Sequence, residues 1–218
     1  DLDNRLVLQR LAHVVHGYQE LAMRLDVVAE EALDLTLKCK LLLELGKVYE
    51  SFLEEYERAG DCYHEILAHL PGDEEAIRAL EALFARLSQY QELVDLYIKL
   101  AEEHDDDEQK IRRYIQACET LHNIDESDQL IETYRRILEI DELNETAFKE
   151  LERLFKLTDR WMELSELLIE RIESLEDVSL KSDMRHKLAH VYLDHLDQTE
   201  EAIEVWRMTL EEQSDYED

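Results

Sequence analysis

Residues 43–67 read "LELGKVYESFLEEYERAGDCYHEIL", and residues 186–210 read "HKLAHVYLDHLDQTEEAIEVWRMTL". Superposing 43 on 186 sets Leu45 on Leu188, Tyr49 on Tyr192, Ala59 on Ala202, Tyr63 on Trp206 and Leu67 on Leu210. About half that shift relates a different pair of segments. "AIRALEALFARLSQYQEL", 76–93, and "AFKELERLFKLTDRWMEL", 147–164, share Ala76/Ala147, Leu80/Leu151, Leu83/Leu154, Phe84/Phe155 and Leu93/Leu164. The identities fall mostly on apolar positions at helical spacing. Self-similarity at a fixed period is the mark of a repeat architecture, and here two kinds of helix pair alternate. Counting both predicts six pairs, near residues 2–33, 36–70, 73–105, 108–140, 143–177 and 179–213, in one domain over 1–218.

Composition agrees with helices throughout. Four glycines and one proline among 218 residues are too few for the turns of a β-sandwich, and 45% hydrophobic content supplies a core. The predicted class is all-α. No uncharged apolar run is long enough to span a bilayer, and "DLDNRLVLQR" at the start has neither the basic flank nor the apolar centre of a secretory signal. Three cysteines, Cys39, Cys62 and Cys118, have no metal-binding spacing and suit a reducing cytoplasm. The formal charge of −31 opposes the phosphate backbone that supplies most nucleic-acid affinity, so DNA and RNA are not expected partners. Most of this acid is expected on solvated outer helix faces.

"LELGKVY" followed by Ala59, Tyr63 and Pro71 resembles the tetratricopeptide repeat, whose pattern is W-x₂-L-G-x₂-Y, then A-x₃-F, then P. The matching residues are Leu45, Gly46, Tyr49, Ala59, Tyr63 and Pro71, with Leu42 in the tryptophan slot. The sixth unit matches through Leu188, Ala189, Tyr192, Ala202 and Trp206. Both carry one extra residue between the tyrosine and the alanine, and the other four units keep mainly the large and small apolar slots. The alternation is similar to long arrays in large bacterial proteins of this family; HAT-type repeats are the other resemblance. The implied architecture is a right-handed α-solenoid in which each repeat buries its apolar stripe on its neighbours.

A second motif, aromatic-x-Glu-Leu, recurs at Tyr18, Tyr90 and Trp161. Each ring is expected in the first turn of a second helix, filling the wedge beside its partner as part of the core. Ser88, Asp125 and Asp159 precede these helices or stand at the equivalent place, and are expected to be their N-caps. Gly46, Ala59, Ala189 and Ala202 are small enough to let paired helices approach closely.

There is no phosphate-cradling glycine loop, nucleophile elbow or kinase signature, and no cofactor is expected. His186 and His190 share a helix face, His13 and His16 are three apart, and "HDDDE" at 104–108 is rich in oxygen ligands. None has a third ligand at a convincing distance, so polar surface is the expected role and no metal site is predicted. Buried free thiols are expected for the cysteines, with Cys118 in the small slot of Gly46.

The resemblance also implies a binding surface. In this family the first helices line a concave groove, with five positions per repeat pointing into it. Counted from the slot of Ala12, Tyr49, Phe84, Leu121, Phe155 and Tyr192, these positions hold the basic residues Arg10, Lys40, Lys47, Arg78, Arg86, Arg112, Lys149, Arg153 and Lys156. They also hold His13, His122, His186 and His190, against the acids Asp3, Glu50, Glu75, Glu119, Asp183 and Asp194. The groove is therefore expected to be neutral to basic inside an acidic shell. The predicted function is a non-enzymatic scaffold that holds a partner protein or peptide, acidic in character, through these side chains. Two alternatives stay open: a structural or regulatory spacer in a larger multidomain protein, and, least favoured, an enzyme. The stretch is expected to be a fragment of a longer chain. Val205, Trp206 and Leu210 are expected to leave the last helix uncapped and open to self-association.

Overall fold

The computed structural model describes the backbone of residues 2–124 and 126–214 and the side chains of 14, 16–124 and 126–212. Arg10, Ala12, His13 and Asp3 therefore lie outside the described side chains, and Asp125 lies outside the described residues. All regular structure among the described residues is helical. Two compact units divide the chain, residues 1–103 and 104–218, a division that the even repeat spacing does not announce.

Unit 1 holds α1 (Leu2–Glu31), α2 (Leu35–Val48), a π-helical turn (Tyr49–Leu53), α3 (Tyr56–His69), α4 (Glu74–Leu87) and α5 (Tyr90–Glu103). Unit 2 holds α6 (Asp107–Leu121), α7 (Ser127–Ile140), α8 (Glu145–Leu157), α9 (Trp161–Ser174), α10 (Val178–Asp194) and α11 (Thr199–Ser214). Within each unit consecutive helices pack as antiparallel neighbours, hairpin after hairpin. These are the stacked helix pairs of an α-solenoid, with one departure. Residues 2–33 were expected to form two helices, and a single 30-residue helix, α1, runs through them.

Helix starts follow a rule other than the expected one. Asp34, Asp73, Asp106, Asn144 and Asp177 cap the first helices of the pairs, their side chains accepting from Thr36, Glu75 and Ala76, Gln109, Ala147 and Leu180 N–H groups at 2.8–3.1 Å. Ser88 and Asp159, expected as N-caps of second helices, instead end the first helices in the left-handed region, with φ 55° and 54°. The next residues close the turns, Gln89 N–H on the Phe84 carbonyl and Arg160 N–H on that of Phe155, each at 2.9 Å. This six-to-one bond leaves only one residue before the second helix, so a side-chain cap has no room.

The extra residue between tyrosine and alanine also has a structural place. In unit 1 it is absorbed by the π turn, where Glu55 N–H reaches back to the Tyr49 carbonyl at 3.0 Å. In unit 2 Gln198 N–H reaches the Tyr192 carbonyl at 2.9 Å over the same span. Glu54 and Asp197, which correspond under the long shift, both take φ near 55°. Together with Ser88 and Asp159, they are the positive-φ residues among those described. The backbone thus repeats the alternation read from the sequence.

Motif residues form the core. Leu45, Ala59, Tyr63, Leu80, Leu151, Phe155, Leu188, Ala189 and Ala202 are buried, most of them fully. Gly46 faces the Tyr63 ring so closely that a Cβ would collide with it, 2.8 Å from Cζ. The Tyr63 hydroxyl donates to Glu50 at 3.2 Å. Its counterpart Trp206 has Leu193 where Tyr63 has Glu50, and the Trp206 Nε1–H is buried without a partner. Cys62 and Cys118 are buried and unpaired, and burial pushes both thiols up to about 12. Burial also raises Cys39, so none of the three is poised as a thiolate nucleophile.

The recurring aromatics correct the core expectation. Tyr90 is 37% exposed, Tyr18 is half-buried and stacks on Phe52 at 4.0 Å, and Trp161 is half-buried. The left-handed turn before α5 and α9 lifts the first turn of each helix to the edge of its hairpin, where one side of the ring faces solvent. On α11, Ile203, Met208 and Leu210 are exposed, whereas Gly60 and Leu67, the counterparts of Ile203 and Leu210, are buried on α3.

Candidate functional site

In unit 2 a cavity of about 450 Å³ opens between α8, α9 and α10. Its floor is apolar, formed by Leu164 and Leu168 of α9 and Val191 of α10. The wall is a pair of flat rings: the Trp161 indole stacks on the His195 imidazole with centroids 3.5 Å apart and planes 7° off parallel. Trp161 reaches this place because α9 begins one residue after the left-handed Asp159. His195 reaches it as the residue that ends α10. Around the rim stand Lys156 of α8 with His186, Lys187 and His190 of α10.

Helical spacing sets the two rim histidines on one face, rings 6.0 Å apart edge-on, and both lie against Trp206 at 6.3 and 6.0 Å. His190 Nδ1 lies 3.4 Å from the Asp194 carboxylate. The lysines converge on one acid. Lys156 Nζ donates to Glu152 at 2.5 Å along α8, and Lys187 Nζ donates to it at 3.0 Å from α10. Burial pushes the Glu152 carboxyl up, but the hydrogen bonds and charges of the two lysines outweigh it and hold the group below the usual carboxylate range.

The sign of the resulting pH effect follows. Because the folded carboxyl titrates below the unfolded one, the bridges contribute stability above the ordinary value of 4.5, and this is lost as pH falls through the lower folded value. Glu152→Gln should therefore melt below wild type at pH 6, with the gap shrinking as the buffer is taken to pH 3. A gap that stays constant across that window would contradict the assignment.

Three of the cations and histidines read from the sequence, Lys156, His186 and His190, thus share one cavity. Most of the others sit beside a carboxylate of their own helix: Lys47 by Glu44 at 3.0 Å, Arg78 by Glu74 at 3.9 Å, Arg112 by Glu108 at 3.6 Å, Lys149 by Glu145 at 3.0 Å and Arg153 by Glu150 at 2.9 Å. Arg86 lies over the Tyr56 ring at 4.9 Å and donates to its hydroxyl at 3.0 Å. Lys40 is exposed, and His122 is 3.3 Å from the Tyr134 hydroxyl. Spaced three or four residues from an acid, these cations neutralise the helix surface locally.

Sequence reasoning passed over Lys187 and His195. Lys187 falls outside the five groove positions, and His195 lies past the end of the helix. The signal that pointed to them was the Trp161 motif, which periodicity alone assigns to the core.

A second cavity of about 430 Å³, between α7, α8 and α9, surrounds Arg171, which is 8% exposed. Its guanidinium donates to the Glu142 carbonyl at 2.9 Å and the Glu145 carboxylate at 2.7 Å, and lies 5.0 Å over the Phe148 ring. Those contacts occupy the arginine in tying α9 to the α7–α8 connection and the start of α8. Among the described residues no three His, Cys, Asp or Glu side chains are grouped to hold a metal ion, and no helix is long and apolar enough to cross a membrane.

No protein-family model matches the chain. No curated protein matches it either. Among solved structures it is similar to YrrB, described as a TPR protein with an unusual peptide-binding site: 15% identity, 80% of this chain and 86% of that one, TM-score 0.36. A tetratricopeptide repeat protein from Parabacteroides merdae is 14% identical over 96% of this chain and 80% of its own, with a TM-score of 0.36. A MamA fragment from Desulfovibrio magneticus is 16% identical over 81% and 96%, TM-score 0.35. At such TM-scores the likenesses carry no weight beside the chain's own motif. That motif does: Gly46 sits against Tyr63, Ala59 and Ala202 are buried, and the helix pairs recur at the repeat's spacing. The chain is an all-α protein built of antiparallel helix hairpins, and its motif residues resemble the tetratricopeptide repeat.

Proposed function

We propose that the chain is a protein-interaction module rather than an enzyme, and that the α8–α9–α10 groove of unit 2 holds a partner's peptide segment. The segment carries one large apolar side chain flanked by carboxylates. The observation that supports this is the composition of the cavity: a flat aromatic wall and aliphatic floor, rimmed by two lysines and two histidines. A cavity of about 450 Å³ is in the range of sites that fix a ligand by apolar burial and a few placed polar groups. An aromatic or leucyl side chain would fill the floor against Trp161. Neighbouring carboxylates would meet the Lys156, Lys187, His186 and His190 donors, competing with Glu152 for the lysines.

Charge contrast adds selectivity. The lining sets Lys156 and Lys187 against Glu152 and Asp194, neutral before any imidazole is charged, in a chain of formal charge −31. An acidic segment is repelled less here than on the surrounding surface, which suppresses wrong docking more than it adds affinity.

Fluorescence anisotropy with a labelled pentapeptide, phenylalanine between pairs of glutamates, tests the reading. Lys156→Met and Lys187→Met, made together with Glu152→Gln so that no carboxylate is stranded, should weaken binding at least tenfold. Equal binding by wild type and the triple variant would sink the proposal.

A further inference from the structure

The motif at Tyr18 is in register with those at Tyr90 and Trp161, so each residue of α1 beyond Gly17 has counterparts on α5 and α9. Leu21 corresponds to Leu93 and Leu164, and Val28 to Leu100 and Arg171; all four counterparts are buried. Arg171 lies over Phe148 of α8, so this face of α9 is the one that its own first helix covers. On α1 the same face is open: Leu21 is 42% and Val28 49% exposed, with Val14 on the same stripe at 54%. The adjoining face is filled, since Ala22 and Ala29 are 2% and 1% exposed, like their counterparts Val94 and Ala101.

The repeat period assigns residues 2–16 to the missing covering helix. In the other pairs the chain breaks at Ser88 and Asp159; at the equivalent His16 and Gly17 it continues as helix, and nothing lies within 4 Å of where a Gly17 Cβ would stand. A single unbroken helix cannot cover its own face. We infer that a second copy of this chain covers it: two α1 helices lie antiparallel and cross near Gly17, residues 2–16 of each seated on the Leu21–Val28 stripe of the other.

The sequence carries the seam that such a pairing needs. Val7, Val14, Leu21 and Val28 recur every seven residues, the spacing of one apolar position along long paired helices. Gly17, lacking a Cβ, permits close approach of the backbones at the crossing. Within the folded hairpins Leu83 and Leu93, and likewise Leu154 and Leu164, are buried on the two partner helices. The same register pairs Leu11 of one copy with Leu21 of the other. The association is an exchange of the element that each unit lacks, and it uses none of the groove on unit 2.

Light scattering on the 218-residue chain is expected to give a dimer mass. Leu21→Glu with Val28→Glu should give a monomer of unchanged helicity, because both side chains are exposed in the single chain. Leu11→Cys with Leu21→Cys, oxidised at low concentration, should yield a disulfide between chains. A disulfide within one chain would show residues 2–16 folding back on their own stripe and overturn the inference. So would no disulfide at all, a monomeric wild type, or a double-glutamate variant that remains dimeric.

Discussion

Tyr63→Ala should lower the stability of unit 1 by about 3–5 kcal/mol, the usual loss for a large aromatic side chain removed from a close-packed core. Tyr63 is fully buried between α2 and α3, and its hydroxyl is held by Glu50. The ring is also the reason that position 46 is glycine. Alanine there would gain roughly 1 kcal/mol of helix propensity, but its Cβ would stand inside the contact distance of a ring with nowhere to move. Overpacking of this kind costs about 1–3 kcal/mol and wins. Gly60→Ala is the control: its Cβ would meet only Leu83 at 3.6 Å, an ordinary contact, so the propensity gain should show. Urea denaturation should therefore place Gly46→Ala below wild type and Gly60→Ala at or above it. The double variant Gly46→Ala/Tyr63→Ala should be less destabilised than the two single losses added, since the clash exists only while the ring does.

Trp161→Ala should separate binding from folding. A core tryptophan would cost about 3–5 kcal/mol, but Trp161 is half-buried and its main partner is the His195 ring, so about 1–2 kcal/mol is expected. The peptide should lose far more, at least a factor of ten in affinity, because the indole forms the wall against which its apolar side chain lies. Thermal melting and anisotropy on the same samples decide it. A large drop in melting temperature with peptide binding unchanged would return Trp161 to the core and remove the wall from the groove.

The fold was legible because its governing contacts recur. Gly46 with Tyr63, Ala59, and the Leu80–Phe84 and Leu151–Phe155 runs repeat at spacings that only stacked helix pairs satisfy, and each is found in the core. What was not legible depends on backbone states that residue type leaves open. Ser88 and Asp159 are good N-caps in the abstract, yet here they take a left-handed turn at the end of the preceding helix, and Asp73 and Asn144 do the capping instead. That single shift moves Tyr90 and Trp161 from the wedge to the edge. It turns one expected core ring into a groove wall. The groove was half readable. Lys156, His186 and His190 follow from the groove positions that the family resemblance implies, whereas Lys187 and His195 enter through the meeting of α8, α9 and α10, which no local pattern encodes. The unbroken run of α1 is another such case, because Gly17 is compatible with either a turn or a helix.

Amide and imidazole chemical-shift mapping on the isotope-labelled chain, titrated with the phenylalanine–glutamate pentapeptide, tests the central claim most directly. Saturable shifts should concentrate on the Trp161 indole, the rings of His186, His190 and His195, and the backbone of neighbouring α8 and α10 residues. Saturable shifts confined to other helices, or none at peptide concentrations that saturate the anisotropy signal, would contradict it.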